Sequence, residues 1–358
     1  MRFGIVGCGL VAQVMHIPYL AELRRAELYA FADPDPDKRG PLADRYNVDL
    51  EFENHETMIE SVGGELDAVV VLTPSHTHAD VVVDVLGSDI HTLVEKPIAA
   101  SPADAHRMVD AEETSDATAM VAYMKRYDPA YERVAGAIER LDSIDLITAY
   151  DVDPDHRRII DEVYDIVEGD TPPEQSSDDA RQADIEAAIG TDDELLVDAY
   201  DFQVEHVCHD INALRGLFGA VKSIEHVDVF ADGRYVTAQL TYEGDIQCIL
   251  ETGDSDRKWF EEFVRIDSPD GMVKVDFSNP FIKNTPTDLR RKQGIAELVE
   301  SVETPSYAEP FKRELQHFID CVAGNNEVRT TLSEARDDLQ LIVDLFRTYQ
   351  GESPRKND

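Results

Sequence analysis

Three consecutive residues, Glu95-Lys96-Pro97, combine side chains that could handle a proton at the end of a predicted strand. In open α/β folds the carboxyl ends of the strands form the ligand-binding edge. A lysine there can donate a proton or a hydrogen bond to the oxygen of a carbonyl that is being reduced. Glu95 would hold the ammonium of Lys96 in place. A surface ion pair before a proline turn explains the same residues equally well, so both interpretations stay open.

A second stretch with possible chemistry, Glu205-His206-Val207-Cys208-His209-Asp210, lies in a predicted helix. Glu205 and His209 are four residues apart and therefore share one face of the helix. Histidine is the side chain best suited to move a proton near neutral pH. His206 and Asp210 form another such pair, rotated from the first by about 100°. His209 is also compatible with a hydrogen-bonded histidine in a domain interface.

A glycine-rich turn near the start of the chain has the spacing of a phosphate-binding turn. Gly7-x-Gly9-x-x-Ala12 follows a predicted strand and opens a predicted helix. Gly7 allows the tight turn, Gly9 lets the backbone approach a pyrophosphate, and Ala12 permits close helix–strand packing. The helix N-terminus stabilises the phosphate charge. The residues expected to contact a dinucleotide in this turn are Gly7, Gly9, Leu10, Val11 and Ala12.

Asp33 ends the second predicted strand, 24 residues after Gly9. A carboxylate at that place can hold the ribose hydroxyls of the adenosine and would repel a 2′-phosphate, which favours NAD as the cofactor. Lys38 and Arg39 could meet a 2′-phosphate, so NADP stays possible, although solvated charges of the next helix explain these two residues better. The competing interpretation is a plain tight turn followed by a turn-forming aspartate.

The elements that must position these residues alternate between strand and helix up to Tyr123. Apolar runs predict strands at residues 3–6, 28–32, 66–72, 92–95 and 119–123, with helical patterns between them. Such alternation predicts a parallel, doubly wound α/β sheet. We therefore predict an NAD(P)-binding Rossmann domain over residues 1–122.

Residues 123–358 have the pattern of an α+β domain. Helices are predicted at 130–141, 202–217, 307–323 and 333–349, and strands at 146–152, 223–230, 235–242, 246–252, 259–267 and 272–277. Turn residues between several strands predict an open, mainly antiparallel sheet. Residues 165–198 form an acidic excursion that contains Thr171-Pro172-Pro173 and one predicted helix, 180–189.

The composition is strongly acidic, with 74 Asp and Glu against 33 Lys and Arg and a net charge of −41 at pH 7. Self-repulsion on that scale destabilises a compact chain in dilute buffer, whereas the Debye length of about 3 Å at molar salt screens most of it. The acidic excess is spread along the chain, which favours a salt-adapted protein over a patch for a basic partner. The sequence lacks a basic stripe, which disfavours nucleic-acid binding.

Several features predict a cytoplasmic protein. The sequence contains no apolar run long enough to span a membrane and no pattern of a secretory signal. The four cysteines are scattered without the spacing of a metal site, and we expect them to be reduced thiols. The His-x-x-His pattern at His206 and His209 differs from the i,i+4 zinc spacing. We therefore predict no metal.

Six segments of the chain match the motifs of one enzyme family in their order. The segments are Gly7-x-Gly9-x-x-Ala12, Asp33-Pro34-Asp35, Thr73-Pro74-x-x-x-His78, Glu95-Lys96-Pro97, Tyr123-x-x-Arg126-x-x-Pro129 and His209-Asp210-Ile211-Asn212-x-Leu214-Arg215-x-Leu217-x-Gly219. Together they resemble the glucose–fructose oxidoreductase / inositol dehydrogenase (Gfo/Idh/MocA) family, in a haloarchaeal-type acidic form. The resemblance implies a Rossmann domain and an α+β domain whose open sheet makes dimer or tetramer contacts. It also implies hydride exchange between NAD(P) and a secondary alcohol or ketone of a sugar, inositol or related polyol.

The resemblance further implies roles for individual residues. Lys96 contacts the reacting hydroxyl, His209 accepts its proton, and Glu205 assists His209 from a position where the family has an aspartate. Val207 and Asn212 also depart from the family pattern, which has a glycine and an aspartate there. The further cofactor contacts expected are Thr73, Pro74, His78, Glu95 and Lys96, and the expected substrate contacts are Lys96, Tyr123, Arg126 and His209.

Three other functions stay open at this point. The first is a dinucleotide-binding sensor or regulatory subunit that does not turn over a substrate. The second is a reductase of a non-sugar carbonyl or a related group. The third is an enzyme that oxidises a nucleotide sugar.

Overall fold

The computed structural model describes residues 1–169 and 175–351 and contains two compact units. The first consists of the described residues within 1–123, 164–184 and 311–339. The second consists of those within 124–163, 185–310 and 340–358. Two segments from later in the chain thus belong to the first unit, whereas the sequence pattern sets a single boundary after residue 122.

The first unit is built on a six-stranded sheet. Its strands are β1 (Arg2–Val6), β2 (Glu27–Ala32), β3 (Leu50–Phe52), β4 (Ala68–Val71), β5 (His91–Glu95) and β6 (Ala119–Ala122). They lie in the order β3-β2-β1-β4-β5-β6, and every neighbouring pair is parallel. All four residues of β4 are buried, as expected for a strand covered on both faces. The predicted parallel, doubly wound sheet is confirmed.

Side-chain caps fix where three of the five α-helices within residues 1–123 begin. The helices are α1 (Ile17–Glu22), α2 (Pro36–Tyr46), α3 (His55–Val62), α4 (His78–Gly87) and α5 (Pro102–Glu113). Asp35, Asn54 and Ser101 each accept a backbone N–H at the start of α2, α3 and α5. Ser101 precedes Pro102 at the first helical position of α5, where the missing N–H of proline costs no hydrogen bond. Before α1, residues Ala12–His16 form a π-helical turn.

The second unit contains an eight-stranded sheet. Its strands are β7 (Leu146–Pro154), β8 (Ser223–Phe230), β9 (Tyr235–Thr241), β10 (Gln247–Ser255), β11 (Glu261–Asp267), β12 (Gly271–Phe277), β13 (Asp288–Gln293) and β14 (Val299–Glu303). The order is β14-β13-β12-β11-β7-β10-β9-β8, with β7 and β10 parallel and the other neighbours antiparallel. The predicted open, mainly antiparallel sheet is confirmed. The sequence does not predict β13 and β14, because their mostly polar residues show no apolar alternation.

The described residues between β6 and β8 form four α-helices: α6 (Pro129–Ile138), α7 (His156–Val163), α8 (Gln175–Ile189) and α9 (Glu194–Phe218). α9 carries Glu205 and His209. It begins after Asp193, whose side chain accepts two backbone N–H groups, and it ends at Gly219, which has a φ of 79°. α8 confirms the predicted helix of the acidic excursion, whereas Thr171-Pro172-Pro173 lies outside the described residues.

Two helices close the described chain, α10 (Pro310–Val322) and α11 (Leu332–Tyr349), close to the predicted positions. The segment 311–339 packs with the first sheet. The rings of Phe318 and Phe3 lie 6.4 Å apart, and Thr330 exchanges two hydrogen bonds with Val121 at 2.9 and 2.6 Å. The outer edge of β6 is thereby covered. No helix of the described residues is long and apolar enough to cross a membrane.

Candidate functional site

The predicted glycine turn joins β1 to the helical turn Ala12–His16. Gly7 has a φ of +96°, and a Cβ on it would lie 2.6 Å from the carbonyl oxygen of Leu72. Both the backbone conformation and the available space therefore require glycine at this position. A Cβ on Gly9 would meet no atom of the described chain within 4 Å, so this face of the turn has room for a ligand. Ala12 is buried, as its packing role predicts.

Asp33 links the glycine turn to the end of β2. One carboxylate oxygen accepts the backbone N–H of Cys8 at 2.7 Å, and the other accepts that of Asp35 at 2.8 Å. Each oxygen has a further lone pair, so the carboxylate can still accept a ribose hydroxyl. Asp33 thus shapes the turn in addition to the role predicted for it.

Lys38 and Arg39, the two cations considered for a 2′-phosphate, contact acidic side chains. Lys38 Nζ lies 3.9 Å from Asp35, and Arg39 Nε lies 3.2 Å from Glu51. Arg39 also donates to the backbone carbonyl of Asp33. These contacts agree with the interpretation of both residues as charges in the first turn of α2.

Part of the acidic excursion lies against the glycine turn. The side-chain amide of Gln13 donates to the carbonyl of Val167 at 3.0 Å and accepts its N–H at 2.9 Å. The same amide donates to the carbonyl of Cys8 at 2.9 Å. Gly169 lies so close to Asp35 that a Cβ on it would overlap the carboxylate. The sequence gives no sign of this contact, because Gln13 and Val167 are 154 residues apart.

The other predicted cofactor contacts differ in exposure. Leu10, Val11, Thr73 and Lys96 are half-buried, and Pro74 is exposed. His78 is buried, with one ring nitrogen 2.8 Å from the carbonyl oxygen of Thr73 and the other 3.0 Å from that of Pro97. The His78 ring therefore joins the end of β4 to the turn after β5. The sequence predicts a cofactor contact for His78 but not this structural role.

Glu95 and Lys96 stand at the carboxyl end of β5, before a cis peptide bond to Pro97. The Glu95 carboxylate accepts the backbone N–H of Lys96 at 3.0 Å and lies 2.6 Å from Nε2 of His16. Burial alone would raise the pKa of Glu95. The hydrogen bond and charge of His16, together with the charge of Lys96, outweigh burial and hold this pKa below its ordinary value. Glu95 is therefore ionised at neutral pH.

Glu205 and His209 lie one turn apart on α9, and both are half-buried. Their shared face is the one that the spacing predicts. His206 and Asp210, the second pair by spacing, contact different groups. His206 Nε2 lies 3.2 Å from Asp153 on β7, whereas Asp210 is completely buried.

Asp153 lies between two histidines of the second unit. Its carboxylate oxygens are 3.0 Å from Nε2 of His156 and 3.2 Å from Nε2 of His206. Burial would raise the pKa of Asp153, but the hydrogen bond to His156 and the charges of His206, His156 and Lys125 hold it below its ordinary value. An ionised carboxylate thus holds two imidazole rings.

Lys125, Asp151, Asp210 and Glu262 form a second, fully buried charged cluster. One oxygen from each of the three carboxyl groups lies within 4.8 Å of the others. Lys125 Nζ contacts Glu262 and lies 3.7 Å from Asp151. Burial is the main cause that raises the pKa of Asp151 and of Glu262 well above the ordinary values. We interpret the cluster as a network in which one ammonium and shared protons balance three carboxyl groups.

Tyr123 and Arg126, the expected substrate contacts, are almost fully buried. Arg126 Nη1 lies 3.2 Å from both the backbone oxygen and the side-chain oxygen of Asn212 on α9. Gly216 makes this approach possible, because a Cβ there would overlap the guanidinium. Asn212 therefore accepts hydrogen bonds from Arg126 at a position where the family pattern has an aspartate.

Comparison with known proteins matches the first part of the chain to one enzyme family. The Gfo/Idh/MocA model, described as an oxidoreductase family with an NAD-binding Rossmann fold, matches residues 1–123. These residues belong to the Gfo/Idh/MocA family. The matched segment includes the glycine turn, Asp33 and Glu95-Lys96-Pro97.

Relatives of this Gfo/Idh/MocA domain include dehydrogenases of inositol and xylose. Inositol 2-dehydrogenase of Rubrobacter xylanophilus is 34% identical over 140 residues, 38% of this chain and 38% of the relative. D-xylose 1-dehydrogenase (NADP(+)) 2 of Haloferax volcanii is 30% identical over 135 residues, 38% and 41% of the two chains. The match thus spans about two fifths of each relative.

A solved structure shows that the fold is shared along the whole chain. UDP-N-acetylglucosamine 3-dehydrogenase of Acidithiobacillus ferrooxidans covers 98% of this chain and 97% of its own, with a TM-score of 0.72. The two sequences are 18% identical.

In the Gfo/Idh/MocA domain, the predicted cofactor residues follow three neighbouring strands. Gly7 follows β1, Thr73 follows β4 and Lys96 follows β5. The strand order reverses between β1 and β4, which is where open α/β sheets bind ligands. The open face of Gly9 and the carboxylate of Asp33 fit an NAD(P) cofactor at this place.

Sequence reasoning missed the residues that support the predicted ones from within the protein. His16, Gln13, Lys125 and Asp153 were not singled out. For His16 one signal existed, because it is a polar residue within the apolar run Val14-Met15-His16-Ile17.

Proposed function

We propose that this chain is an NAD(P)-dependent dehydrogenase that exchanges a hydride with a secondary alcohol or ketone of a sugar, inositol or related polyol. The observation that carries the proposal is the placement of Gly9, Asp33 and Lys96 at the carboxyl edge of one parallel sheet. This edge of the sheet would then supply a phosphate-binding turn, an acceptor for the ribose hydroxyls and a cation for the substrate oxygen. The inositol and xylose dehydrogenases among the relatives support the substrate class.

Two residues handle the charge and the proton in this proposal. Lys96 stabilises the alkoxide that develops on the substrate oxygen during oxidation. His209 removes the hydroxyl proton, and Glu205 on the same face of α9 assists it. The nicotinamide, when bound, accepts the hydride from the carbinol carbon. Glu95 stays ionised beside the ammonium of Lys96 and favours its protonated form.

We also propose that the protein is a salt-adapted, haloarchaeal-type member that works in the cytoplasm as a homo-oligomer. The net charge of −41 and the relative from Haloferax volcanii support the salt adaptation. The four cysteines are buried and form no disulfide, which is compatible with a reducing compartment. Exposed apolar residues near β14 support self-association.

The test of the dehydrogenase activity is turnover of a panel of inositols and aldoses in molar KCl, with NAD⁺ and NADP⁺ in parallel. Lys96→Met should lower kcat by about 100-fold or more and change the cofactor Kd by less than about threefold. Lys312→Met is the matched control, because Lys312 pairs with Glu22 at the surface of the same unit. Near-normal turnover by Lys96→Met would exclude the role of Lys96. A folded protein that binds neither cofactor would exclude the dehydrogenase itself.

A further inference from the structure

His16 is a fully buried histidine behind Glu95 and Lys96. It ends the helical turn Ala12–His16 that follows the glycine turn, and its Nε2 lies 2.6 Å from Oε1 of Glu95. Burial of two ionisable groups is costly unless they are paired and hydrogen-bonded to each other. The 2.6 Å contact meets that condition and fixes one oxygen of Glu95.

Glu95 connects His16 to Lys96. Its Oε2 accepts the backbone N–H of Lys96 at 3.0 Å, while Oε1 faces His16. With both oxygens engaged, the carboxylate holds the peptide unit from which the Lys96 side chain extends. The ammonium of Lys96 is also close enough to lower the pKa of Glu95. The chain of contacts therefore runs from the helical turn to the proposed substrate cation.

The other side of the His16 ring is formed by α10. Phe311 meets the imidazole edge-on, with ring centroids 5.6 Å apart and an interplanar angle of 86°. Glu314, one turn further along α10, is completely buried, and neither of its carboxyl oxygens has a hydrogen-bond partner among the described residues. Burial, followed by the charge of Glu95, raises the pKa of Glu314 well above its ordinary value.

Glu95 therefore interacts electrostatically with His16, with Lys96 in the turn after β5 and with Glu314 on α10. The raised pKa keeps Glu314 protonated and uncharged at neutral pH. Of the two carboxyl groups, Glu95 therefore carries the negative charge.

We propose that His16 is a positioning residue for Lys96, because it fixes the ionised carboxylate of Glu95 that holds Lys96 and keeps a negative charge beside its ammonium. The inference rests on the proposed function, in which Lys96 faces the substrate oxygen. His16 acts through Glu95.

Replacement of His16 removes its hydrogen bond and its charge, the two largest effects that lower the pKa of Glu95. Burial then raises the pKa of Glu95, and only Lys96 opposes that effect. The carboxyl group becomes protonated at a higher pH than in the wild type, and Lys96 loses its negative neighbour there. Activity should therefore decline at a higher pH on the acidic side. A purely structural role of His16 would lower stability without moving this limb of the pH profile.

The first experiment compares the pH dependence of kcat for the wild type, His16→Phe and His16→Gln. His16→Phe keeps the ring volume without a donor, and we expect kcat to fall about 10- to 100-fold with KM and cofactor Kd within about threefold. The acidic limb of the kcat–pH profile of His16→Phe should move up by about one pH unit. His16→Gln keeps a donor amide and should recover most of kcat. His55→Gln, the control, changes a histidine of the same unit that pairs with Asp84 and should match the wild type. An unmoved acidic limb in His16→Phe overturns the inference.

A second measurement needs no turnover and separates this inference from the proposed function. Carbamylation of Lys96 by cyanate, followed by mass spectrometry of the folded protein, reports how much of the lysine is unprotonated. At a pH on the displaced acidic limb of His16→Phe, loss of the negative neighbour should make Lys96 react about threefold faster or more in this variant and in Glu95→Gln than in the wild type. Equal rates overturn the inference even if the enzyme oxidises polyols. Faster rates without turnover of any polyol support it and contradict the proposed substrate class.

Discussion

The structure distinguishes the two glycines of the glycine turn, Gly7 and Gly9, by the space around each. Gly7 has a φ of +96° and faces the carbonyl of Leu72, so the fold itself excludes a side chain. Gly9 has free space where a Cβ would lie. In the proposed function, the need for glycine at this second position comes from the dinucleotide pyrophosphate.

The two glycines should give separable effects when each is replaced by alanine. Gly7→Ala should lower the free energy of unfolding by about 2 to 4 kcal/mol, because strain and overlap act together. Gly9→Ala should change it by less than about 0.5 kcal/mol yet weaken NAD(P)H binding about tenfold or more. Chemical denaturation and fluorescence titration measure the two quantities. Equal destabilisation by both variants, or wild-type affinity in Gly9→Ala, would contradict this assignment.

Among the elements, β7 and β11 have an unusual cross-strand pair. Asp151 and Glu262 are register partners on these antiparallel strands, and both are buried. Like charges directly opposite each other destabilise a sheet. The pair is tolerated because Lys125 contacts both strands and because the raised pKa values keep protons on the carboxyl groups.

This pair should give the stability of the protein a particular dependence on pH. The pKa of Glu262 is raised in the folded state, so its stabilising contribution is complete below the unfolded pKa and is lost as the pH rises through the folded pKa. The free energy of unfolding should therefore fall as the pH rises above the unfolded-state pKa of about 4.3, and Glu262→Gln should reduce that fall. Urea denaturation at constant KCl measures it. Glu261→Gln, the exposed neighbour on β11, is the control, and parallel curves for all three proteins would refute the expectation.

How well the elements could be predicted depended on burial. β4 is an uninterrupted apolar run because both of its faces are covered, and this gives a clear signal in the sequence. β13 has five polar residues of six and is partly exposed, so its membership in the sheet depends on pairing with β12. The places of Gly7, Asp33 and Lys96 at strand ends were predictable, because each follows an apolar run of a parallel sheet. The contact of His16 with Glu95 spans 79 residues and depends on how a helical turn packs on β5, which local sequence does not encode.

For the molecule as a whole, charge repulsion is the dominant long-range term. With 74 acidic and 33 basic residues, complete ion pairing would still leave a large excess of carboxylates. We expect the free energy of unfolding to increase between about 0.1 M and about 1 M KCl, because the Debye length falls from about 10 Å to about 3 Å. Sucrose at equal osmolality is the control, since it strengthens apolar burial without screening charge. An equal gain in sucrose and in KCl would show that screening is not the cause.

The exposed edge of the second sheet predicts how copies of the chain associate. β14 is the last strand of that sheet, and Ile295, Leu298 and Val299 at and before it are 88%, 69% and 66% exposed. An exposed edge strand with apolar side chains beside it favours pairing with another chain, and high salt removes the repulsion between two acidic copies. Leu298→Lys should therefore lower the molar mass measured by light scattering in about 1 M KCl. Val163→Lys, which alters another exposed apolar residue of the same unit, should leave the mass unchanged. A wild-type protein that is monomeric under these conditions, or a Leu298→Lys variant of unchanged oligomeric mass, would exclude this edge as the interface.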